Sequence, residues 1–164
     1  MKVMLVNGSS HIHGTTMKAL EEMARIFEDE GIETEIIQLG SKPLADCIQC
    51  NACRKSGECV FKDDGVNEFV EKARDADGFV FANPVYFAHP SGRIFSFLDR
   101  AFYSGSAAFA YKPGAAVASC RRAGTTATLD QLTKYFTINC MPVVSSTYWK
   151  MVHGNTPDED TQAK

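Results

Sequence analysis

The sequence predicts an α/β fold: a doubly wound, three-layer single domain over residues 1–164, with five parallel strands in the order 2-1-3-4-5. Two observations carry that prediction. Short apolar runs alternate with single amphipathic helices, and the runs are continuously apolar, as strands covered on both faces must be. Right-handed crossovers between parallel strands then place helices on both sides of the sheet.

Lys2 to Asn7 is the first strand, stopping at Gly8, and residues 8–16 form a loop of small polar residues. Leu20, Met23, Ala24 and Phe27 recur at helical spacing, with Gly31 placed to end the helix. Residues 33–39 carry Ile36, Ile37 and Leu39 as the second strand. The next helix is expected from an N-cap at Asp63 or Asp64, burying Val66, Phe69, Val70 and Ala73. Residues 78–83 make the third strand, halted by Pro84, and a helix covers 91–103. Residues 115–119 are the fourth strand, Thr125 to Phe136 a helix, and Val143 with Val144 marks the fifth strand. Thr156 to Asp160 has the N-cap, proline and acids of a helix start, so a final helix is expected to be cut short or left out before Lys164.

Composition narrows the class. With 45% hydrophobic and 23% charged residues, neither a disordered nor a fibrous chain is expected. A net charge of −3 disfavours nucleic acid as a partner. No apolar run approaches the roughly 20 residues of a membrane span, and the N-terminus lacks the pattern of a signal peptide. The expectation is a cytoplasmic protein without a membrane or nucleic-acid partner. Six cysteines in such a chain point to metal or redox chemistry before disulfides, and four of them fall between Cys47 and Cys59.

The loop after the first strand is where such folds bind phosphate, because backbone N–H groups and a helix dipole face the anion. Ser9, Ser10, Thr15 and Thr16 supply hydroxyls around Gly14, with His11 and His13 as further donors. The loop is neither a Walker A motif nor G-x-G-x-x-G, which leaves a monophosphate site. A plain strand-to-helix turn, with solvated histidines, is the alternative. Asn83-Pro84-Val85-Tyr86-Phe87 follows the third strand, at the switch point where ligands lie in such sheets. Ser119, Cys120, Arg121, Arg122 and Gly124 follow the fourth strand. Placed at one sheet edge, these three segments fit a phosphorylated, planar cofactor.

Cys47-x2-Cys50-x2-Cys53-x5-Cys59 lets a tightly turning backbone direct thiolates at one cubane, as in the cysteine runs of bacterial ferredoxins. Two alternatives stand beside it: a zinc site, and a vacant site with four ordinary thiols. Cys120 and Cys140 lie outside the run and are expected to be buried apolar thiols.

Gly8-Ser9 through Gly14-Thr15-Thr16, Ala76-Asp77-Gly78 leading into Asn83-Pro84-Val85-Tyr86-Phe87, and Phe97-Leu98-Asp99-Arg100 resemble the NADPH-dependent FMN reductase family. The closest resemblance is to its iron–sulfur flavoprotein branch, through Arg121-Arg122-Ala123-Gly124 to Tyr148-Trp149. The resemblance implies a flavodoxin-like fold, with Ser9, His11 and Thr16 meeting the FMN phosphate. It also implies Pro84 to Phe87 along the isoalloxazine and Ser119 to Gly124 near its other side. It implies a [4Fe–4S] centre at Cys47, Cys50, Cys53 and Cys59, close to the flavin within one subunit or across an interface. The family often has Pro and Arg at the positions of Ser10 and His11, and Asn at that of Thr15, so this phosphate loop lacks a permanent cation.

The implied activity is electron transfer from NAD(P)H or a ferredoxin-like donor to an acceptor, with no side chain assigned as acid or base. The rivals are an electron carrier without small-molecule turnover, and a flavin reductase whose cysteine loop is vacant or binds zinc. The segment 91–103 carries more aromatics than one core contact needs: it is either packed deeply in its own domain or used for self-association, and a homodimer or homotetramer is expected, as the resemblance also implies.

Overall fold

Lys2–Asn7 (β1) opens the sheet and pairs in parallel on both of its sides. A computed structural model describes residues 1–159 and 161–162. The remaining elements are α1 (Thr15–Asp29), β2 (Glu33–Gln38), α2 (Cys53–Ser56), α3 (Val66–Asp75), β3 (Gly78–Tyr86) and β4 (His89–Pro90). They continue with α4 (Gly92–Gly105), β5 (Gly114–Cys120), α5 (Thr125–Ile138), β6 (Met151–His153) and β7 (Thr161–Gln162). The sheet order is β2-β1-β3-β5-β6-β7, with β4 paired to the end of β3. The pairs from β2 through β6 are parallel, so these five strands stand in the predicted 2-1-3-4-5 order. β7 adds an antiparallel edge.

The two faces of the sheet explain why the strands read as continuously apolar. Met4, Val6, Phe79 and Phe81 pack with α3, α4 and α5 on one face. Leu5, Val80, Ala115 and Val117 pack with Leu20 of α1 on the other. Rings fill the thicker layer: Phe69 lies 4.9 Å from Phe97, and Phe81 lies 5.1 Å from Phe136. Each fully buried phenylalanine contributes about 1.5–3 kcal/mol. No helix among the described residues is long and apolar enough to cross a membrane.

Four boundaries differ from the sequence expectation. Pro84 does not halt β3, which runs on to Tyr86, with Pro84 opposite Ser119 of β5. The Ala82 carbonyl faces β1, accepting from Gly8 at 2.8 Å, so strand alternation turns the Pro84 nitrogen to the same side. β1 has already ended there, and the missing N–H costs no ladder bond. Second, α3 is capped by Gly65 rather than by Asp63 or Asp64. Asp64, one residue earlier, still accepts from the Val66 N–H at 3.4 Å and also forms an ion pair with the buried Arg100.

Third, Val143 makes only an isolated bridge to Gly114, and the fifth parallel strand is Met151–His153. The edge beside β5 is thus occupied twice, around an excursion through residues 145–150. Fourth, the expected helix start near Thr156 is a single 3-10 turn over Pro157–Glu159, and Thr161–Gln162 then pairs with β6. Asp160, Ala163 and Lys164 lie outside the described residues.

Most of the aromatic surplus of α4 is spent inside the chain. Phe102 stacks on Phe109 at 4.4 Å, and Phe95 on Tyr135 at 6.4 Å. Tyr103 and Tyr111 remain exposed.

Candidate functional site

The carboxyl ends of β1, β3, β5 and β6 open onto one cleft of about 590 Å³, within the range of small-molecule sites. Ser9, His11, His13, Gly14, Thr15 and Thr16 line one wall. Pro84, Val85 and Tyr86 line a second wall, and Ser119 with Arg121 a third, so all three predicted segments converge.

The first wall ends at the N-terminus of α1. Its N-cap, Gly14, has no side chain to accept the first helical N–H groups, and no acid stands in the first turn. A 15-residue helix therefore presents its positive end and free N–H groups to the cleft. The loop is held from beneath: Gln38 donates to the Ser9 carbonyl at 2.8 Å, and the Asn7 carboxamide oxygen accepts from the Ser9 N–H at 3.0 Å. The hydroxyls of buried Thr16 and Ser119 share a hydrogen bond of 2.7 Å, which ties the first wall to the third. His11 and His13 are exposed at the rim. This donor set of N–H groups and hydroxyls, without a carboxylate among the described cleft residues, fits a phosphate.

Backbone crowding explains two glycines. A Cβ on Gly8 would fall 2.2 Å from Asn83 Oδ1 and 3.2 Å from the Ala82 carbonyl. Gly124 has φ +95°, and a Cβ there would fall 2.7 Å from Ala88 Cα. The β3–β4 hairpin rests on that gap. Its two turn residues, Phe87 and Ala88, have φ of +48° and +62°, the mirror-image turn that suits strand twist but that Asn or Gly adopts at less cost. Phe87 projects from the tip, 98% exposed.

Five predicted residues do not line the cleft: Ser10, which borders a separate pocket with Gly8, Tyr86 and His89, and Asn83, Gly124, Phe87 and Arg122. Asn83 is wholly buried beneath the cleft, accepting from Ser91 Oγ at 3.0 Å. Gly124 supports the hairpin, while Phe87 and Arg122 point to solvent. The sequence reading missed Gly154, Asn155, Thr156 and Pro157, which form a further wall. They follow β6, and the Gly154 N–H donates to the Cys120 carbonyl at 3.0 Å. Placing the fifth strand at Val143 removed the signal, because residues after a parallel strand leave at the ligand edge.

The four clustered cysteines border one small pocket together with Arg100, Tyr103 and Ser104 of α4, and all six cysteines of the chain are free. Cys120 is buried as expected, whereas Cys140 is exposed. Among the described residues, no group of three or more His, Cys, Asp or Glu side chains is gathered to hold a metal ion. Gln49 and Asn51, on either side of Cys50, have φ of +51° and +57°, so the run turns tightly.

Arg100 is wholly buried and donates through Nε to Cys59 Sγ at 3.2 Å. Burial works to lower its pKa, but its bonds to Asp64 and Cys59 outweigh that and raise it. Asn67 holds the Cys59 backbone, accepting from its N–H at 2.8 Å and donating to its carbonyl at 3.0 Å. The cysteine segment leaves the ligand edge after β2, but then follows α4 downwards: Arg93 holds Ser41 and Lys42, Ser96 holds Asp46, and Cys53 donates to the Tyr103 carbonyl. At 1.5 Å per residue, the pocket sits about 12–16 Å from the start of α4, not beside the cleft.

The profile of the family described as NADPH-dependent FMN reductase matches residues 1–156. An iron-sulfur flavoprotein of Methanocaldococcus jannaschii is 37% identical over 150 residues, covering 88% of this chain and 76% of that protein. Another, from Methanosarcina thermophila, is 30% identical over 166 residues, covering 98% of this chain and 86% of that protein. Among solved structures, a flavodoxin from the domain Archaea shares the fold, with a TM-score of 0.64 at 14% identity over 97% of this chain and 88% of that one. The parallel sheet, the phosphate-ready cleft at its carboxyl edge and these matches lead to one conclusion: the chain belongs to the NADPH-dependent FMN reductase family, a family of FMN-binding flavoprotein oxidoreductases, in its flavodoxin-like fold.

Proposed function

We propose that the chain binds FMN in the cleft and passes electrons from NAD(P)H or a ferredoxin-like donor to an acceptor, with a [4Fe–4S] cluster on Cys47, Cys50, Cys53 and Cys59. The observation that carries the flavin half is the uncapped, acid-free N-terminus of α1 facing the cleft among the hydroxyls of Ser9, Thr15 and Thr16. The N–H groups and dipole of α1 hold the phosphate in place of the absent loop cation, and Arg121 adds a charge at the rim. Pro84, Val85 and Tyr86 flank the ring, and the Thr16–Ser119 bond keeps the two sides of the cleft in register. Bound there, FMN supplies two-electron chemistry and the cluster single-electron chemistry. The chain contributes binding, orientation and exclusion of water.

The cluster half rests on the names of the two relatives, on four free thiols at one pocket, and on a cation already bonded to one sulfur. Self-association is part of the same reading, with exposed Tyr103 and Tyr111 as the apolar surface it would use. Anaerobic reconstitution with FMN, iron and sulfide tests the whole. An oxidised-flavin spectrum, a broad iron–sulfur absorbance and stoichiometric acid-labile sulfide are expected. Zinc without sulfide would replace the cluster reading, and absence of flavin binding would end the flavin reading. Bleaching of the flavin by NAD(P)H within one turnover assigns the nicotinamide donor. Reduction only by a ferredoxin-like protein or dithionite assigns the carrier role.

A further inference from the structure

Arg100 is the largest wholly buried side chain among the described residues, and the flavin cleft does not use it. Each of its five N–H donors has an acceptor. Nε donates to Cys59 Sγ; one terminal nitrogen donates to the Ala45 carbonyl and Asp64 Oδ2, the other to the Phe61 carbonyl and Asp64 Oδ1. The guanidinium also lies 4.9 Å from the Phe61 ring centre. A buried arginine needs one carboxylate partner to offset desolvation, and Asp64 provides it. The remaining contacts all go to the two ends of one segment: Ala45 lies just before the first cysteine, and Cys59 and Phe61 lie at and after the last. One rigid fork on α4 thus closes the cysteine loop and aims an N–H at a ligand sulfur.

We propose that Arg100, held by Asp64, is the positioning residue of the cysteine site: it ties together the two ends of the loop 47–59 and, through its hydrogen bond to Cys59 Sγ, raises the reduction potential of the cluster bound there. The inference rests on the cluster reading above. Its physical basis is general. A hydrogen bond to a ligating sulfur stabilises the more negative, reduced state, and outer-shell partners fix the geometry of ligands. Lysine cannot substitute, because a point charge lacks the planar fork that binds a carboxylate and a sulfur together. Asp64 opposes Arg100 electrostatically while orienting it, so the two residues shift the potential in opposite directions.

The test is a redox titration of the anaerobically reconstituted full chain, with Arg100→Lys and Asp64→Asn beside the unaltered protein. Arg100→Lys is expected to lower the cluster potential and to speed iron release to a chelator roughly tenfold. Asp64→Asn is expected to raise the potential, because the arginine charge is then uncompensated. Loosening of a structural support alone would speed iron release in both variants without opposite shifts, and that result overturns the electronic part of the proposal. Unchanged potentials and release rates in both variants overturn it entirely. Should either variant fail to fold by circular dichroism, the unaltered protein labelled with 15N-arginine decides. Pulsed electron paramagnetic resonance of its reduced cluster is expected to show coupling to one arginine nitrogen, and no coupling overturns the proposal. If the unaltered protein takes up no iron and sulfide, the cluster reading itself fails, which is a different outcome from a loaded cluster indifferent to Arg100.

Discussion

Thr16 and Ser119 are 103 positions apart in sequence, yet their hydroxyls share a hydrogen bond inside the cleft. Thr16→Val keeps the shape and removes the bond, leaving Ser119 unpaired, at a cost of about 1–2 kcal/mol. FMN affinity is expected to fall about tenfold, measured by quenching of flavin fluorescence. Gly8→Ala drives a methyl into the buried Asn83 carboxamide and is expected to destabilise the fold by about 1–3 kcal/mol in urea unfolding. The two outlying cysteines differ in kind. Burial lifts the Cys120 thiol above its usual range against the pull of the Arg122 N–H, whereas Cys140 is exposed. Iodoacetamide at pH 8 is expected to label Cys140 first and Cys120 only on unfolding, as read by mass spectrometry.

Among the elements, the β3–β4 hairpin carries backbone strain at its tip. Left-handed geometry at Ala88 costs on the order of 1 kcal/mol for a residue with a Cβ. Ala88→Gly is expected to raise the thermal midpoint by about 2–4 °C, measured by calorimetry. The β2–β1 edge responds to acid. Hydrogen bonds from Lys72 and then Lys2 hold the Glu35 carboxyl below its ordinary value. Because the folded pKa is depressed, that stabilisation is present above the usual carboxylate range and is lost as pH falls through the lowered value. Urea titrations from pH 7 to pH 3 are expected to show a shallower acid loss for Glu35→Gln. Helix α4 links both sites: its first turn lies against the phosphate loop, where Ser91 donates to the Gly8 carbonyl at 3.3 Å, and its third turn holds the cysteine pocket.

For the whole molecule, the sequence by itself determined the α/β class, the strand order of the parallel sheet and the convergence of three segments on one cleft. Those follow from local pattern, because doubly buried strands must be apolar throughout and parallel strands all release their loops at the same edge. It also marked the four cysteines, whose spacing is written in the chain. Only the tertiary structure decided which segment became the fifth strand. Val143 and Met151 both lie beside β5, and a pairing between distant segments depends on register with the partner, which no local pattern records. With that strand came the wall at Gly154 to Pro157. The role of Arg100 was equally out of reach: in sequence it is only the last residue of the resemblance run Phe97-Leu98-Asp99-Arg100. Its burial depends on Asp64, 36 positions away, and on two loop carbonyls that reach it only when the chain closes. The path of the cysteine loop down α4 was decided the same way, by side-chain contacts with a helix that lies far downstream in the chain.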